Sequence, residues 1–217
     1  MLEKAKKQVM NYRIISKPNI GDFDVKPNLY NYKEMRNTFD WENILDGLDG
    51  LPNGGLNLAH EAIDRHAVGN NKNKIALHWE GSDGIEEKYT FSDLKLLSDK
   101  FANVLSELGI KKGDRVFIFM ERIPELYIAF FGILKVGAIA GPLFSAFGPD
   151  PVKDRLEDSG AKLLIATPTL LSRIKSIIKD LPALQNVMVV TRGKEPKETI
   201  VDGQITYEMA MMSAANH

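Results

Sequence analysis

Residues Arg115–Thr167 read RVFIFMERIPELYIAFFGILKVGAIAGPLFSAFGPDPVKDRLEDSGAKLLIAT, and the fold is decided there. RVFIFM, GAIAGPLF and KLLIAT are apolar runs of strand length. PELYIAFFGILK is apolar almost all round, and VKDRLEDS is a short polar helix that Gly160 stops. Three short apolar runs separated by two helical segments give the βαβαβ pattern of a parallel sheet whose strands are buried on both faces. The predicted fold class is therefore α/β: a three-layer subdomain with a mainly parallel sheet.

Upstream, KIALHWE and EEKYTF are separated by GSDGI, which predicts a β-hairpin with a five-residue connection. Thr90 and Asp93 have capping-box spacing ahead of apolar positions Leu94, Leu97, Phe101, Val104 and Leu108, so a long helix follows, ended at Gly109. NLAHEAIDRHA carries Leu58, Ala62, Ile63 and Ala67 at helical spacing and predicts a surface helix. Residues 1–56 have weak periodicity and many Pro and Gly residues, and read as an extended arm. Residues 57–217 read as the α/β body. Downstream, Leu170, Leu171, Ile174, Ile177 and Ile178 share one helical face, NVMVVT is a fourth apolar strand, RGKEPKE is a polar loop, and TYEMAMM starts a helix.

Composition narrows the function. The 217 residues are 44% hydrophobic and 26% charged, and the net charge of −1 gives no basic field for nucleic acid or an anionic membrane. The absence of cysteine excludes disulfides, thiolate metal sites and a thiol nucleophile, and suits a cytoplasmic setting. MLEKAKKQVMNYR is basic but lacks the apolar run of a secretory signal. The apolar stretch Leu126–Phe144 contains Lys135 and is divided by Gly137, Gly141 and Pro142, which argues against a membrane span. No G-x-G-x-x-G, Walker-type or G-x-S-x-G pattern is present, and His60, His66, His78 and His217 do not have metal-site spacing. No residue is assigned a catalytic or metal-binding role.

Several charged residues have two readings. Glu121, Arg122 and Glu125 lie past the carboxyl end of a strand, where open α/β sheets bind ligands, and also at a helix N-terminus, where carboxylates suit the dipole. Arg155 and Asp158 have the spacing of a solvated helix pair. SAFGPD, Ser145–Asp150, joins a strand to a helix N-terminus, with Phe144 and Phe147 either in the core or facing a ligand.

The ordered series KYTFSDL, GDRVFIFM, PELY, GAIAGPLF and KDRLEDS, with LNLAHEAIDRHAVGNNKNKIALHWEG and the upstream TFDW, covers most of residues 28–190. It is similar to the N-terminal part of the AMP-forming acetyl-CoA synthetases, members of the adenylate-forming acyl-CoA synthetase superfamily. That resemblance implies a ligase of acetate or another short-chain acid, with MgATP and CoA as substrates and no tightly bound cofactor. A carboxylate attacks ATP to give an acyl-adenylate and pyrophosphate, and the CoA thiol then displaces AMP. It also implies that the turn at Phe144 and Ala146 approaches the CoA adenine, with Lys175 near the 3′-phosphate; a second basic position falls on Ser172, beside Arg173. The family's phosphate loop would follow His217, so the chain is expected to be the front subdomain of a longer enzyme, with the C-terminal remainder as its partner and self-association on its own. A non-catalytic CoA- or nucleotide-binding module, or an inactive remnant, is the alternative. This polypeptide is expected to give no acid-dependent ATP–pyrophosphate exchange above a no-enzyme blank, since losing even one oxyanion donor costs about 10²–10³ in rate.

Overall fold

The computed structural model describes residue 16 and residues 18–25, 27–193 and 200–215; the basic stretch 1–13, residues 194–198 of the polar loop and His217 lie outside them. The chain divides into two units, Met1–Leu48 and Asp49–His217. In the first, α1 (Tyr32–Thr38) and α2 (Trp41–Leu45) each start on a side-chain cap. Asn31 accepts from the Glu34 N–H and Asp40 from the Glu42 N–H.

The second unit opens with α3 (Leu58–Ala62), a shorter helix than the apolar stripe predicts. Ile63 leaves helical geometry at φ −126°, and a 3₁₀ turn over Asp64–His66 follows. This break changes which residues face inward: Ala59, Ile63 and Ala67 are buried, whereas Leu58 is 61% exposed. It also carries Asp64 to within 2.7 Å of the Lys135 ammonium.

The hairpin forms as predicted, from β1 (Ile75–Glu80) and β2 (Glu86–Thr90) in antiparallel register. α4 (Phe91–Glu107) begins on a complete capping box. The Thr90 hydroxyl accepts from the Asp93 N–H at 3.1 Å, and the Thr90 N–H donates to the Asp93 carboxylate at 2.8 Å.

The alternation then continues as β3 (Arg115–Phe119), α5 (Pro124–Lys135), β4 (Ile139–Pro142), α6 (Pro149–Ser159), β5 (Leu163–Ala166), α7 (Pro168–Ile178), β6 (Asn186–Val189), β7 (Ile205–Thr206) and α8 (Tyr207–Ser213). Five of these strands form one parallel sheet in the order β4-β3-β5-β6-β7. β7 is absent from the sequence reading because two residues carry no periodicity; it exists by pairing with Met188 and Val189. Gly160 ends α6 in the left-handed conformation, φ 61°, and Arg115 caps the same end. Its Nε donates to the Ser159 carbonyl at 2.6 Å and its Nη2 to the Gly160 carbonyl at 2.8 Å.

Strand residues alternate between two cores. Val116, Ile118, Leu163, Ile165 and Met188 join α4, α5 and α8 on one face. Phe119, Leu164, Ala166, Val187 and Val189 join α6 and α7 on the other. Each fully buried Leu, Ile or Phe contributes about 1.5–3 kcal/mol of transfer free energy, so both layers of helix are held by the same strands. At one edge, β4 pairs with β3 from Arg115↔Ile139 to Ile118↔Pro142. The Ile139 N–H donates to the Asp114 carbonyl and the Leu143 N–H to the Ile118 carbonyl, both at 2.8 Å.

Lys135, the charge inside the apolar stretch, is 10% exposed and lies between Asp64 at 2.7 Å and Asp99 at 2.5 Å. Burial works against the Asp99 carboxylate, but hydrogen bonds from Lys135 and Lys95 outweigh it and hold its pKa below the ordinary aspartate value. Among the described residues no helix is long and apolar enough to cross a membrane.

α4 and α5 approach closely at Gly132, where a Cβ would lie 2.7 Å from the Phe101 ring and 3.1 Å from the Ser98 carbonyl. Gly132→Ala gains about 1 kcal/mol of helix propensity but forces the helices apart, at about 1–3 kcal/mol. The expected outcome is net destabilisation and a lower midpoint in chemical denaturation, with helix content unchanged.

Candidate functional site

Because all five strands run the same way, their carboxyl ends line one edge of the sheet. In this strand order the chain leaves β3 toward β4 on one side and returns to β5 on the other, so the topological switch point lies between β3 and β5. The Thr167 hydroxyl donates across it to Glu121 Oε2 at 2.7 Å. Glu121 is thus spent on a contact between two strand ends.

Further along the edge, Arg192 follows β6. It is the one non-glycine residue with positive φ, 53°, among those described. Its Nε donates to Glu125 Oε1 at 3.1 Å, its Nη2 pairs with Glu87 of β2, and its guanidinium lies 4.5 Å from the Trp79 ring centroid. The Trp79 indole N–H donates to the Arg122 carbonyl at 2.7 Å, and Glu208 of α8 accepts from the backbone N–H groups of Thr191 and Arg192. Arg192 therefore fastens the hairpin to the carboxyl edge of the sheet, and two successive N–H groups, of Thr191 and Arg192, point toward one carboxylate.

Glu125 is the electrostatic cost of this arrangement. Burial, with the nearby Glu87 adding to it, pushes its carboxyl above the ordinary glutamate value despite the opposing helix N–H and Arg192. Its Oε2 is buried without a hydrogen-bond partner. Burial likewise raises the Tyr207 phenol, whose hydroxyl is also unpartnered. The dipole reading of Glu125 accounts for its position in the first turn of α5; its pairing with Arg192 was not visible in the sequence.

The second cluster is the turn between β4 and α6. The Phe147 N–H donates to the Phe144 carbonyl at 2.9 Å, closing a turn. The Phe144 ring is 64% exposed, and it meets the half-buried Phe147 edge to face, with centroids 5.8 Å apart at 83°. Ala146 is exposed at the tip. Arg173 of α7 reaches this turn: its Nη1 donates to the Ser145 carbonyl at 2.7 Å and the Phe147 carbonyl at 3.3 Å. Arg155, expected as a surface partner of Asp158, instead donates from Nη1 to the Pro151 carbonyl at 2.7 Å and lies 4.5 Å from the Phe147 ring centroid. Lys175 leaves α7 on another side and lines a cavity of about 570 Å³ with Lys179, Ser176, Ile178 and residues 200–202. The structure thus brings Phe144, Ala146 and Arg173 together and sets Lys175 apart. Residues two apart on a helix point about 200° from each other.

The remaining candidate ligands are engaged locally. His60 pairs with Asp49 at 3.0 Å and His78 with Glu86 at 2.9 Å. Among the described residues no group of three or more His, Cys, Asp or Glu side chains is placed to hold a metal ion.

The aromatic turn, Glu121, Thr167 and Arg192 thus lie at the carboxyl edge of a parallel sheet, where open α/β folds bind their ligands. The family model described as AMP-binding enzyme matches residues 64–212, and the chain belongs to that family. It is 48% identical over 176 residues to the acetyl-coenzyme A synthetase of Bacillus subtilis, covering 81% of this chain and 30% of that protein. It is 37% identical over 151 residues to the 3-hydroxypropionyl-coenzyme A synthetase of Sulfurisphaera tokodaii, covering 64% of this chain and 23% of that protein. A crystal structure of a Brucella canis acyl-CoA synthetase superposes with a TM-score of 0.73 at 30% identity, over 86% of this chain and 32% of that one. The chain spans less than a third of each of these proteins.

Arg192→Met removes the cation that, among the described residues, pairs with both Glu87 and Glu125. Near neutral pH this is expected to cost about 2–3 kcal/mol, less than a fully buried pair because all three groups keep some solvent contact. Without the guanidinium the Glu125 carboxyl rises further above its unfolded value. The folded variant then binds protons that the unfolded chain does not, and its deficit shrinks as pH falls toward the ordinary glutamate range. Urea unfolding of both proteins across pH 4–8 measures this.

Proposed function

We propose that this chain is the N-terminal α/β part of an AMP-forming ligase that joins acetate, or another short-chain acid, to CoA through an acyl-adenylate. The similarity to acetyl- and 3-hydroxypropionyl-coenzyme A synthetases supports a short-chain acid. ATP enters as MgATP; among the described residues no group of three or more His, Cys, Asp or Glu side chains is placed to hold the ion. A cytoplasmic setting accords with the absence of cysteine.

Within that enzyme, the contribution of this chain is to bind the nucleotide end of CoA. The observation that carries this reading is the Phe144 ring, 64% exposed on a hydrogen-bonded turn at the carboxyl end of a parallel strand. A large aromatic held open to solvent is a stacking surface for a base, worth about 1–3 kcal/mol per base where it has been removed. Ala146, small and exposed at the tip, leaves room for close approach. Lys175, with Lys179 one helical turn on, lines a cavity that Asp202 also lines, and the two ammonium groups against one carboxylate leave positive charge for a phosphate.

Calorimetric titration of the chain with CoA and with dephospho-CoA tests this. CoA is expected to bind more tightly, and its advantage to shrink as salt is raised, because screening weakens the phosphate contact. Phe144→Ala should weaken both ligands, whereas Lys175→Ala should remove the preference for CoA. Equal affinity for the two ligands, insensitive to both substitutions, would overturn the assignment.

A further inference from the structure

Two arginines from different helices converge on the Phe144–Gly148 turn, and neither forms an ion pair among the described residues. Arg173 approaches from α7 and shares one nitrogen between the carbonyls of Ser145 and Phe147. Both carbonyls belong to the turn itself, so this contact fixes the backbone on each side of Ala146. Arg155 approaches from α6. Its head is anchored on the Pro151 carbonyl at 2.7 Å and covers a face of Phe147 at 4.5 Å, a cation–π contact worth about twofold to fivefold in an equilibrium at an exposed site. Phe147 in turn packs against the second core and meets the Phe144 ring in a T-shaped pair.

We infer that Arg155 and Arg173 are positioning residues that lock the Phe144–Gly148 turn and so present Phe144 as a preorganised stacking face. This rests on the proposed contact between that turn and the nucleotide end of CoA. The exposed Phe144 ring gains little from burial, so its orientation depends on Phe147 and on the turn backbone, and each of these is gripped by one arginine. Arg173 is thereby assigned to the loop and not to the CoA phosphate, and phosphate recognition falls to Lys175. The planar fork of arginine is what the geometry uses, since it stacks on a ring and holds fixed donors toward carbonyls in ways an ammonium cannot reproduce.

The test uses the 217-residue chain with ¹³C-labelled phenylalanine rings and the variants Arg155→Met, Arg155→Lys, Arg173→Met and Arg173→Lys. Without ligand, the Phe144 and Phe147 ring signals are expected to show increased motional averaging in both Met variants, while the thermal midpoint moves little because both arginines are exposed at the surface. Arg173→Lys should partly restore order and Arg155→Lys should not. In titrations, each Met variant should weaken CoA and dephospho-CoA by the same factor, about threefold to tenfold, the cost of ordering the rings and turn on binding. Unchanged ring dynamics in the Met variants would overturn the inference. So would an Arg173→Met effect confined to CoA, which would assign that side chain to the phosphate. Ring averaging in a chain whose parent binds neither ligand would leave the positioning role standing and remove the CoA contact instead.

Discussion

The strand β5 has no face toward water, and the rest of the second unit follows from that. Leu163 and Ile165 enter one core, Leu164 and Ala166 the other, so helices are required on both sides. A strand buried this way must also be paired on both edges, with β3 and β6, because an unpaired backbone group there would cost about 1–3 kcal/mol. Parallel neighbours need crossovers, and the crossovers are the helices themselves. Every chain exit therefore falls on the same side of the molecule, which is why Glu121, the Phe144 turn, Thr167 and Arg192 share one edge without being close in sequence.

What could be read from the sequence was chemistry that acts within a few residues. The Thr90/Asp93 box, the five-residue hairpin connection and the Gly160 stop are local, and each formed as read. The break at Ile63 is not local, because it brings Asp64 to a lysine far along the chain, and the stripe Leu58–Ala62–Ile63–Ala67 gave no sign of it. The two-residue strand β7 exists only through its partner. At the candidate site, the loop was visible as small and aromatic residues between a strand and a helix, but its support was not. Arg155 lies three residues from Asp158 and seemed placed for a surface pair, while its real partner is a ring that the preceding turn brings beneath it. Arg192 looked like part of a polar loop. Nothing near it in sequence marks it as the group that meets Glu125, Glu87 and Trp79.

Arginine recurs in this fold as a clasp for carbonyl oxygens. Arg115 takes the final carbonyls of α6, Arg155 one at the start of that helix, and Arg173 two in the preceding turn. The carbonyls of Ser145, Phe147, Ser159 and Gly160 lie where the chain changes direction, whereas that of Pro151 lies in the first turn of α6. A charged donor makes stronger hydrogen bonds there than a neutral one, and several donors on a rigid plane hold geometry as well as energy. The segment from β4 to β5 is thus secured at both ends of α6 by side chains from outside or within it, with hydrophobic burial left to Val152 and Leu156.

The edge strand β4 also decides what the sheet can do next to the aromatic turn. Ile139 and Leu143 donate inward to β3, and with strand alternation the N–H groups of residues 140 and 142 are those that face out. Residue 142 is proline and has none. An approaching strand would find a single outward donor, at Ala140, before the chain bends away into the turn, so strand addition is blocked by composition at the one edge that also exposes phenylalanine. An apolar, solvent-facing ring can in this way be kept available to a small ligand without recruiting another polypeptide through the backbone beside it.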